Sequence, residues 1–461
     1  MRNLDSLLNP EAIVLVGASD TGGKAGNTIL SNLGNWKGPL FLVNQSLPEI
    51  NGRKVYREIE DLPDQLDLAI IALGSAKAVE AARKCAQKGF RNLIVIASGF
   101  SEIGKEGALL ENELRKDVLS KGTRILGPNT LGVFIPGTGI DTIFVEHGDK
   151  MFSEPGDVAF LTQSGSVGVE SLGAAGVIGW SLRAFVGIGN RIDIGENDLL
   201  EYFSRDAKTK CIALYLETFD DAQEFMKRSA RITPVKPIVL LMAGKTEMAR
   251  DAVASHTGKM ASVGQVFYGV AKQIGVHLAH HEEELADYSK VLSREPPAVN
   301  PRMAIVTCAG GYGIIALDLL SDARYLKRAE LSADTVAKIR KIVPSYASLS
   351  NPIDLTASAD NGMIAHTLEC LEDDSQVGII LAFAFFAPSG IDLDLIDILA
   401  EHRSKTKKPF IVCVAYGPYT NELAHRLYQK GVVAFTSLSR AMKAMDILAE
   451  RAIYLGKQQI P

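Results

Sequence analysis

The sequence has few cysteines, no basic excess and no long apolar run, and each of these shortages excludes a class of protein. Five cysteines among 461 residues are scattered singly, without the spacing of disulfides or zinc ligands. The net charge of −5 argues against a nucleic-acid or anionic-membrane surface, because either would need a basic excess. The longest apolar run, residues 377–387, covers about half of a membrane span. With no apolar stretch at its start that suits a signal peptide, we expect a cytoplasmic protein that binds neither nucleic acid nor membrane.

Short apolar runs alternate with helical patterns along the whole chain. This alternation is typical of parallel sheets that are covered by helices on both faces, and it predicts an α/β fold. The predicted strands are residues 12–17, 40–44, 67–73, 92–98, 157–162, 211–217, 237–243, 303–308, 377–385 and 409–415.

Three segments combine a buried strand with a glycine-rich turn and a following helix: residues 13–30, 158–175 and 304–320. A glycine-rich turn that opens a helix leaves backbone N–H groups at the positive end of the helix dipole, where they can hold a phosphate. Alternatively, the small residues only permit a tight turn, and the sequence of one turn alone does not choose between the two interpretations.

Turn residues mark two boundaries between domains. FSEPGD (152–157) separates the first two strand–turn–helix units, and SREPPAVNPR (293–302) carries three prolines. A prior of about 150 residues per domain also favours three domains. We therefore expect domains at residues 1–146, 147–294 and 300–461.

The first turn lacks the fingerprint of a dinucleotide-binding domain. It begins Gly17-Ala18-Ser19 without the full G-x-G-x-x-G pattern, and Asn44 replaces the acidic residue that would bind a ribose. A phosphate-bearing ligand other than NAD is therefore favoured. Lys24, at the start of the following helix, either adds a positive charge to a phosphate site or is simply solvated.

The motifs of the first domain resemble those of a known family. GAS, VN, SGFSE-G-EG and GPN-LG are similar to the CoA-binding domain of the nucleoside-diphosphate-forming acyl-CoA synthetases, relatives of succinyl-CoA synthetase. PGDVAFLTQSGSVG, GIGNRIDIGENDLLEYFSRD, CIALYLETFDD, SHTGKMA and SNPIDLTASA continue the resemblance in the family's order over nearly the whole chain. It implies a Rossmann-like CoA-binding domain followed by two flavodoxin-like, doubly wound parallel-sheet domains. The first of these carries a phosphohistidine, and the second is a ligase-CoA domain expected to serve packing and assembly.

The resemblance also implies an activity and a partner. Members of the family are ligases that form a carbon–sulfur bond, interconverting acid, CoA and ATP with acyl-CoA, ADP and phosphate through acyl phosphate and phosphohistidine. Because no ATP-grasp region follows residue 461, the chain is similar to a separate α subunit. ATP or ADP and Mg²⁺ are then expected to bind mainly to an ATP-grasp β subunit in an α₂β₂ heterotetramer, with no metal site in this chain.

A histidine and a glutamate are the candidate catalytic residues. His256 lies among small residues in ASHTGKMA, and it is by itself either an exposed loop histidine or an accessible nucleophile. Glu217 ends an apolar strand, where it is either a neighbour of a helix cap or a site residue. The resemblance implies that His256 is phosphorylated and that Glu217 holds its imidazole in the correct tautomer, as the carboxylate of a catalytic triad does.

The remaining candidate residues bind substrates. Ser164, Gly165 and Ser166 open a helix, which is itself a ready anion site, and the resemblance assigns them to the phosphate of the phosphohistidine. The resemblance also implies that the acid is bound by Gln163, Gly189 and Asn190. It implies that CoA is bound by Gly17, Ala18, Ser19, Asn44, Ser98, Gly99, Phe100 and Asn129, and Lys24 is a further candidate for the CoA phosphates on its charge alone. Two positions depart from the family: Ser46 replaces a usual lysine near the CoA phosphates, and Thr130 replaces a usual cysteine.

Two alternative functions fit the sequence less well than a ligase does. A non-catalytic regulatory subunit that binds CoA or acyl-CoA would have no need for both His256 and Glu217. A nicotinamide-dependent oxidoreductase would need the glycine fingerprint and the strand-end acid that the first domain lacks. Both observations favour the ligase.

Overall fold

The computed structural model describes residues 4–147, 155–246, 248–249 and 265–458. The chain forms two compact units. One comprises Met1–Gly176 with Ser181–Leu285, and the other comprises Val177–Trp180 with Ala286–Pro461. The first unit holds two β-sheets and the second unit holds one.

The first sheet has seven strands in the order β3-β4-β2-β1-β5-β6-β7, and every pair is parallel except β3 with β4. The strands are β1 (Ile13–Val16), β2 (Leu40–Val43), β3 (Glu49–Ile50), β4 (Arg53–Tyr56), β5 (Leu68–Ile71), β6 (Asn92–Val95) and β7 (Arg124–Leu126). The helices are α1 (Asp5–Leu8), α2 (Ala25–Asn32), α3 (Ser75–Lys88) and α4 (Lys105–Leu119). Every residue of β1, β5 and β6 is buried, as expected for strands that are covered on both faces.

The second sheet also has seven strands, in the order β14-β13-β12-β10-β11-β8-β9. The four pairings from β14 to β11 are parallel, and β8 and β9 add an antiparallel edge through the other two. The strands are β8 (Val133–Ile135), β9 (Ile140–Asp141), β10 (Val158–Thr162), β11 (Leu182–Gly187), β12 (Cys211–Leu216), β13 (Ile238–Met242) and β14 (Val276–Ala279). The helices are α5 (Gly165–Ile178), α6 (Glu196–Arg205), α7 (Ala222–Ile232), α8 (Gln265–Gln273) and α9 (Glu282–Arg294).

The third sheet lies in the second unit and is parallel throughout, in the order β16-β15-β18-β19-β20 with β17 also paired to β15. The strands are β15 (Arg302–Thr307), β16 (Lys327–Arg328), β17 (Ile353–Asp354), β18 (Ile379–Phe385), β19 (Phe410–Ala415) and β20 (Val433–Phe435). The helices are α10 (Gly310–Ser321), α11 (Ala333–Arg340), α12 (Asn361–Asp373), α13 (Asp394–Lys405), α14 (Thr420–Gln429) and α15 (Leu438–Gln458).

The α/β class and the doubly wound parallel sheets predicted from the sequence are confirmed. All ten predicted runs contain a strand, and the three glycine-rich turns connect β1 to α2, β10 to α5 and β15 to α10. Each of these three strands has neighbours on both sides within its sheet. All five cysteines are buried. No helix in the described part of the chain is both long and apolar enough to cross a membrane.

Within the first unit, one connection brings the first two sheets together at their carboxyl edges. The chain that follows β11 runs beside the end of β7, where the Ile194 N–H donates to the Ile125 carbonyl at 3.0 Å. A nearly buried ion pair between Arg124 Nε and Asp193 Oδ2, at 2.7 Å, fixes the same contact. Because ligand crevices of open α/β sheets form at the carboxyl ends of strands, this arrangement joins two candidate ligand edges.

Candidate active site

The predicted phosphate loop and the predicted orienting carboxylate lie at adjacent strand ends. Strands β10 and β12 pair in parallel up to Thr162 and Tyr215. Ser164 and Glu217 each follow two residues after that last pair. The sheet therefore brings together two groups that are 53 residues apart in the sequence numbering, from 164 to 217.

The phosphate loop is a capped helix N-terminus. Ser164 precedes the 14-residue helix α5, and its Oγ accepts a hydrogen bond from the Val167 N–H at 3.4 Å. The Thr162 hydroxyl stabilises the turn, since it accepts a hydrogen bond from the Ser164 N–H at 3.2 Å and donates one to the Ser164 carbonyl at 2.8 Å. Gly165 and Ser166 are exposed in the first helical turn. Backbone N–H groups at such a position lack intrahelical partners and attract anions.

Glu217 is a buried carboxylate, only 6% exposed. Its backbone N–H donates to Gln163 Oε1 at 2.9 Å, and its side chain accepts a hydrogen bond from the Tyr215 phenol. Burial and this carboxylate raise the pKa of Tyr215 to about 12. The N-cap of α7 is Asp221, whose side chain accepts from the Glu224 N–H. Asp221 therefore caps α7 four residues after Glu217, and the catalytic role of Glu217 stays a prediction.

A buried arginine network, which the sequence reasoning missed, holds the loop after Glu217. Arg191 and Glu196 have fully buried side chains and form an ion pair at 2.8 Å. Arg191 also donates to the Thr218 carbonyl at 2.8 Å and to the Thr218 Oγ1 at 2.6 Å. Glu196 accepts from the Asp220 N–H at 3.1 Å. The one signal in the sequence was a basic residue directly after GIGN, at a strand end where solvent exposure was equally plausible.

The predicted acid-binding residues Gln163 and Gly189 make contacts within the protein. Gln163 Oε1 accepts from the N–H groups of Glu217 and Thr218, at 2.9 and 3.2 Å. Gly189 has a φ of +56°, and a Cβ there would lie 2.2 Å from the Pro128 carbonyl oxygen. Both residues therefore shape the strand ends, and acid binding by them stays a prediction.

Asn190, the third predicted acid-binding residue, connects the two sheets. Its amide Nδ2 donates to Glu102 at 2.7 Å and to Glu111 at 2.8 Å, and its Oδ1 accepts from Asn129 Nδ2 at 3.2 Å. Burial alone would raise the pKa of Glu102, but hydrogen bonds from Asn190 and from nearby backbone amides outweigh burial and lower it. Asn190, a predicted acid-binding residue, therefore contacts two carboxylates and Asn129, a predicted CoA-binding residue.

A polar cavity of about 440 Å³ opens beside this contact. It is lined by Glu111, Asn112, Arg115, Asn190, Arg191, Ile192, Asp193 and Asp220. Its lining mixes carboxylates with two guanidinium groups, so it suits a polar ligand better than an apolar one.

The predicted CoA residues Gly17, Ala18, Ser19 and Asn44 form the turns at the ends of β1 and β2. Gly17 has a φ of +90°, and a Cβ there would lie 2.5 Å from the Ala72 carbonyl oxygen, so the close approach of β1 and β5 requires glycine. The Asn44 amide donates to the Ala18 carbonyl at 2.8 Å. Ala18 and Ser19 are buried. These side chains build the turn, and its backbone is what a ligand would meet.

The other predicted CoA residues differ in exposure. Lys24, at the N-cap of α2, and Ser98, after β6, are exposed. Gly99 and Phe100 donate their N–H groups to Glu102 Oε1 at 2.6 and 3.1 Å, and the Phe100 ring is fully buried in the core of the first sheet. The structure thus presents Lys24 and Ser98 to solvent and holds the Phe100 ring inside.

The two positions that depart from the family pattern have different environments. The buried Thr130 hydroxyl donates to the Gly187 carbonyl at 2.5 Å and accepts from the Gly132 N–H at 3.0 Å, which links the ends of the two sheets. Ser46 is exposed, and its N–H donates to Asn44 Oδ1 at 2.8 Å in a tight turn. Only Thr130 of these two is built into the packing between sheets.

His256, the predicted phosphorylated nucleophile, lies outside the described residues, as do its neighbours Ser255, Thr257 and Gly258. After β13 the structure describes residues 243–246 and 248–249, and the description resumes at residue 265 with α8. The role of His256 therefore stays a prediction from the sequence.

Three family models match consecutive parts of the chain. A CoA-binding domain matches residues 11–136, a succinyl-CoA ligase like flavodoxin domain matches residues 155–292, and a ligase-CoA domain matches residues 303–451. The predicted succession of a CoA-binding domain, a flavodoxin-like domain and a ligase-CoA domain agrees with these matches.

Known proteins match over the full length. The chain is 32% identical to the α subunit of ADP-forming acetate–CoA ligase I from Pyrococcus furiosus, over 99% of both chains. It is 30% identical to ADP-forming acetate–CoA ligase I from Archaeoglobus fulgidus, of which it spans 65%. The structure of dinucleotide forming acetyl-coenzyme A synthetase 1 from Ca. Korarchaeum cryptofilum, in complex with phosphate and ADP, matches with a TM-score of 0.91 and 29% identity, covering 100% of both chains.

Proposed function

The chain belongs to the family of ADP-forming acetate–CoA ligases, and we propose that it is the α subunit of an ADP-forming acid–CoA ligase. The observation that carries this proposal is the pairing of a capped helix N-terminus, at Ser164–Ser166, with the buried Glu217 at the adjacent strand end. The first group suits a phosphoryl group, and the second suits a histidine that must keep one tautomer.

In the direction of synthesis the reaction has three steps. An imidazole nitrogen of His256 attacks the γ-phosphorus of ATP, a P–N bond forms, and ADP leaves. The substrate carboxylate then takes the phosphoryl group, which breaks the P–N bond and gives an acyl phosphate. Finally the CoA thiol, losing its proton, attacks the acyl carbon, and inorganic phosphate leaves as the thioester forms.

Each described group has a role in these steps. Backbone N–H groups of Gly165 and Ser166 stabilise the charge on the phosphoryl group, because they point outward from the positive end of α5. Glu217 accepts a hydrogen bond from the non-reacting imidazole nitrogen of His256. This contact fixes the nucleophilic tautomer and stabilises the positive charge that develops on the ring.

CoA is proposed to bind along the carboxyl edge of the first sheet. The turn at Gly17 and the exposed Lys24 suit its phosphates, and the contact of Asn129 with Asn190 leads from that edge toward the second sheet. A small carboxylic acid would then meet the thiol near Asn190. The acid-binding role of Gln163 and Gly189 is part of the same proposal.

The proposal includes a partner and a domain division. An ATP-grasp β subunit would supply the nucleotide and Mg²⁺ in an α₂β₂ assembly, in the cytoplasm. Domains at residues 1–146, 147–294 and 300–461 would bind CoA, carry the phosphohistidine and support assembly. The α-subunit name of the Pyrococcus furiosus relative supports a partner chain.

Phosphoryl transfer through the chain tests the function directly. The chain, mixed with its ATP-grasp partner, Mg²⁺ and γ-labelled ATP, should acquire a phosphate that is labile in acid and stable in base. Adding acid and CoA should discharge the label and produce acyl-CoA. A chain that takes up no such label under these conditions, while its partner binds ATP, would contradict the proposal.

Replacing Lys24 with alanine should weaken CoA binding. Lys24 is exposed at the start of α2, so losing its charge should raise the KM for CoA about threefold to tenfold, and added salt should narrow that difference. Steady-state kinetics with varied CoA measure the effect. Lys121→Ala, an exposed lysine before the amino end of β7, is the matched control. Equal effects of the two substitutions would contradict a role for Lys24 in binding CoA.

A further inference from the structure

We propose that Arg191 is a positioning residue, which sets the orientation of Glu217 by fixing the loop of residues 217–220. This inference rests on the proposed function, because it concerns the carboxylate that orients His256. We call Arg191, Glu196 and Thr218 the Arg191 clamp.

The loop after β12 has no regular secondary structure, yet side chains hold its backbone at successive residues. Gln163 accepts the N–H groups of Glu217 and Thr218, at 2.9 and 3.2 Å. Arg191 donates to the Thr218 carbonyl, and Glu196 accepts the Asp220 N–H. The backbone is therefore held at the N–H of Glu217 and at both the N–H and the carbonyl of Thr218. These contacts set the direction in which the Glu217 side chain leaves the strand.

The clamp is buried and fully charged at its centre. The side chains of Arg191 and Glu196 are fully buried, and their ion pair at 2.8 Å lies in surroundings of low dielectric constant. The planar guanidinium reaches both the carbonyl and the hydroxyl of Thr218, at 2.8 and 2.6 Å. A lysine could not reproduce this two-pronged contact. These contacts hold both the backbone and the side chain of Thr218, the residue directly after Glu217.

The hydroxyl of Thr218 is the group that Arg191 and Gln163 both contact. It accepts from Arg191 at 2.6 Å and from Gln163 Nε2 at 3.3 Å. Removing this hydroxyl would break the hydrogen bonds from Arg191 Nη2 and from Gln163 Nε2 and leave the Glu217 side chain intact. Because a shift of about 1 Å at a reacting centre can cost about a hundredfold in rate, a small movement of Glu217 would be measurable.

Thr218→Val tests the clamp, since it removes the hydroxyl and keeps the volume. In the complex with the partner subunit we expect kcat to fall about tenfold to a hundredfold, with the KM values for acid and CoA changed less than about twofold. Thr218→Ser, which restores a hydroxyl, should recover most of the rate. Thr209→Val is the matched control, because Thr209 is also buried and donates from its hydroxyl to Asp206, at 2.8 Å, near the opposite end of β12.

A double substitution separates positioning from a purely structural role. If Thr218 acts through Glu217, adding Thr218→Val to Glu217→Gln should lower kcat less than about twofold further, since the effects of residues that act as a unit are not additive. Independent, multiplicative losses would overturn the proposal. Should Thr218→Val fail to fold, Arg191→Lys can replace it, and the kcat losses of Arg191→Lys, Glu217→Gln and the double variant are compared in the same way. If wild-type chain carries no phosphate on His256, the proposed function fails and the clamp has no role; if it is labelled and the losses multiply, only the clamp is wrong.

Discussion

His256→Asn should take up no acid-labile phosphate and should lose acyl-CoA synthesis by at least about 10⁴-fold. In the proposed relay the phosphoryl group must bond covalently to a ring nitrogen, and an asparagine amide nitrogen is not nucleophilic. Binding groups and a phosphate cradle alone leave only a small residual rate when the nucleophile is removed. Labelling from ATP with the partner subunit present, followed by acid and base treatment, measures the first effect; thioester formation measures the second.

His280→Asn is the matched control for this experiment. His280 is exposed two residues before α9, where its Nδ1 lies 2.9 Å from Glu284 Oε2. The control should be labelled and turn over like the wild type. Continued labelling of His256→Asn would remove His256 from the mechanism. If the chain binds CoA, and the complex with the partner subunit is equally active with wild-type and His256→Asn chain, the chain would instead match a regulatory subunit that binds CoA.

The ten strands predicted from the sequence each lie in a largely apolar run, and none of these predictions concerned the order of strands in a sheet. Strand β11 was not predicted, because Arg183 interrupts its apolar pattern; in the fold this side chain lies at the edge of the packing and pairs with Asp206 at 2.9 Å. The antiparallel strands β8 and β9 have only three and two residues, too few for a periodic pattern. Short or interrupted strands gain their stability from neighbours that are distant in sequence.

The proximity of two predicted site loops could be anticipated from the sequence. Ser164 and Glu217 each follow a buried strand, and parallel strands end at one edge, so their proximity follows from the sheet. Which side chains face a ligand could not be predicted in the same way. Phe100 lies in a predicted CoA-binding loop, yet its ring packs into the core while its backbone N–H donates to Glu102.

Arg191 illustrates the complementary limit of sequence reasoning. A charged residue after a strand is more often solvated than buried, and nothing local to it identifies Glu196 and Thr218 as partners. Its burial depends on the loop after β12, which is brought close only by the pairing of β10 with both β11 and β12. Residues that position a catalytic group are thus recognised from tertiary hydrogen bonds.

Glu217→Gln should lower kcat about 10²-fold to 10⁴-fold while leaving the KM for CoA nearly unchanged. A glutamine keeps the shape and the backbone hydrogen bond to Gln163, but it loses the charge that stabilises a positive imidazole and selects its tautomer. Rapid mixing with labelled ATP should show slower phosphorylation of His256, because formation of the phosphohistidine depends on that charge. Glu170→Gln, an exposed carboxylate on α5, is the matched control.

The same substitution has a signature that does not depend on turnover. Burial, together with the charge on Glu217, raises the pKa of Tyr215 to about 12. Without that charge the pKa of Tyr215 should fall, yet stay above its usual value of about 10 because the phenol remains partly buried. Ultraviolet titration of wild-type and Glu217→Gln protein, with Tyr215→Phe to assign the signal, measures this shift. A shifted Tyr215 with wild-type phosphorylation kinetics would show that Glu217 carries a buried charge beside the site without orienting His256.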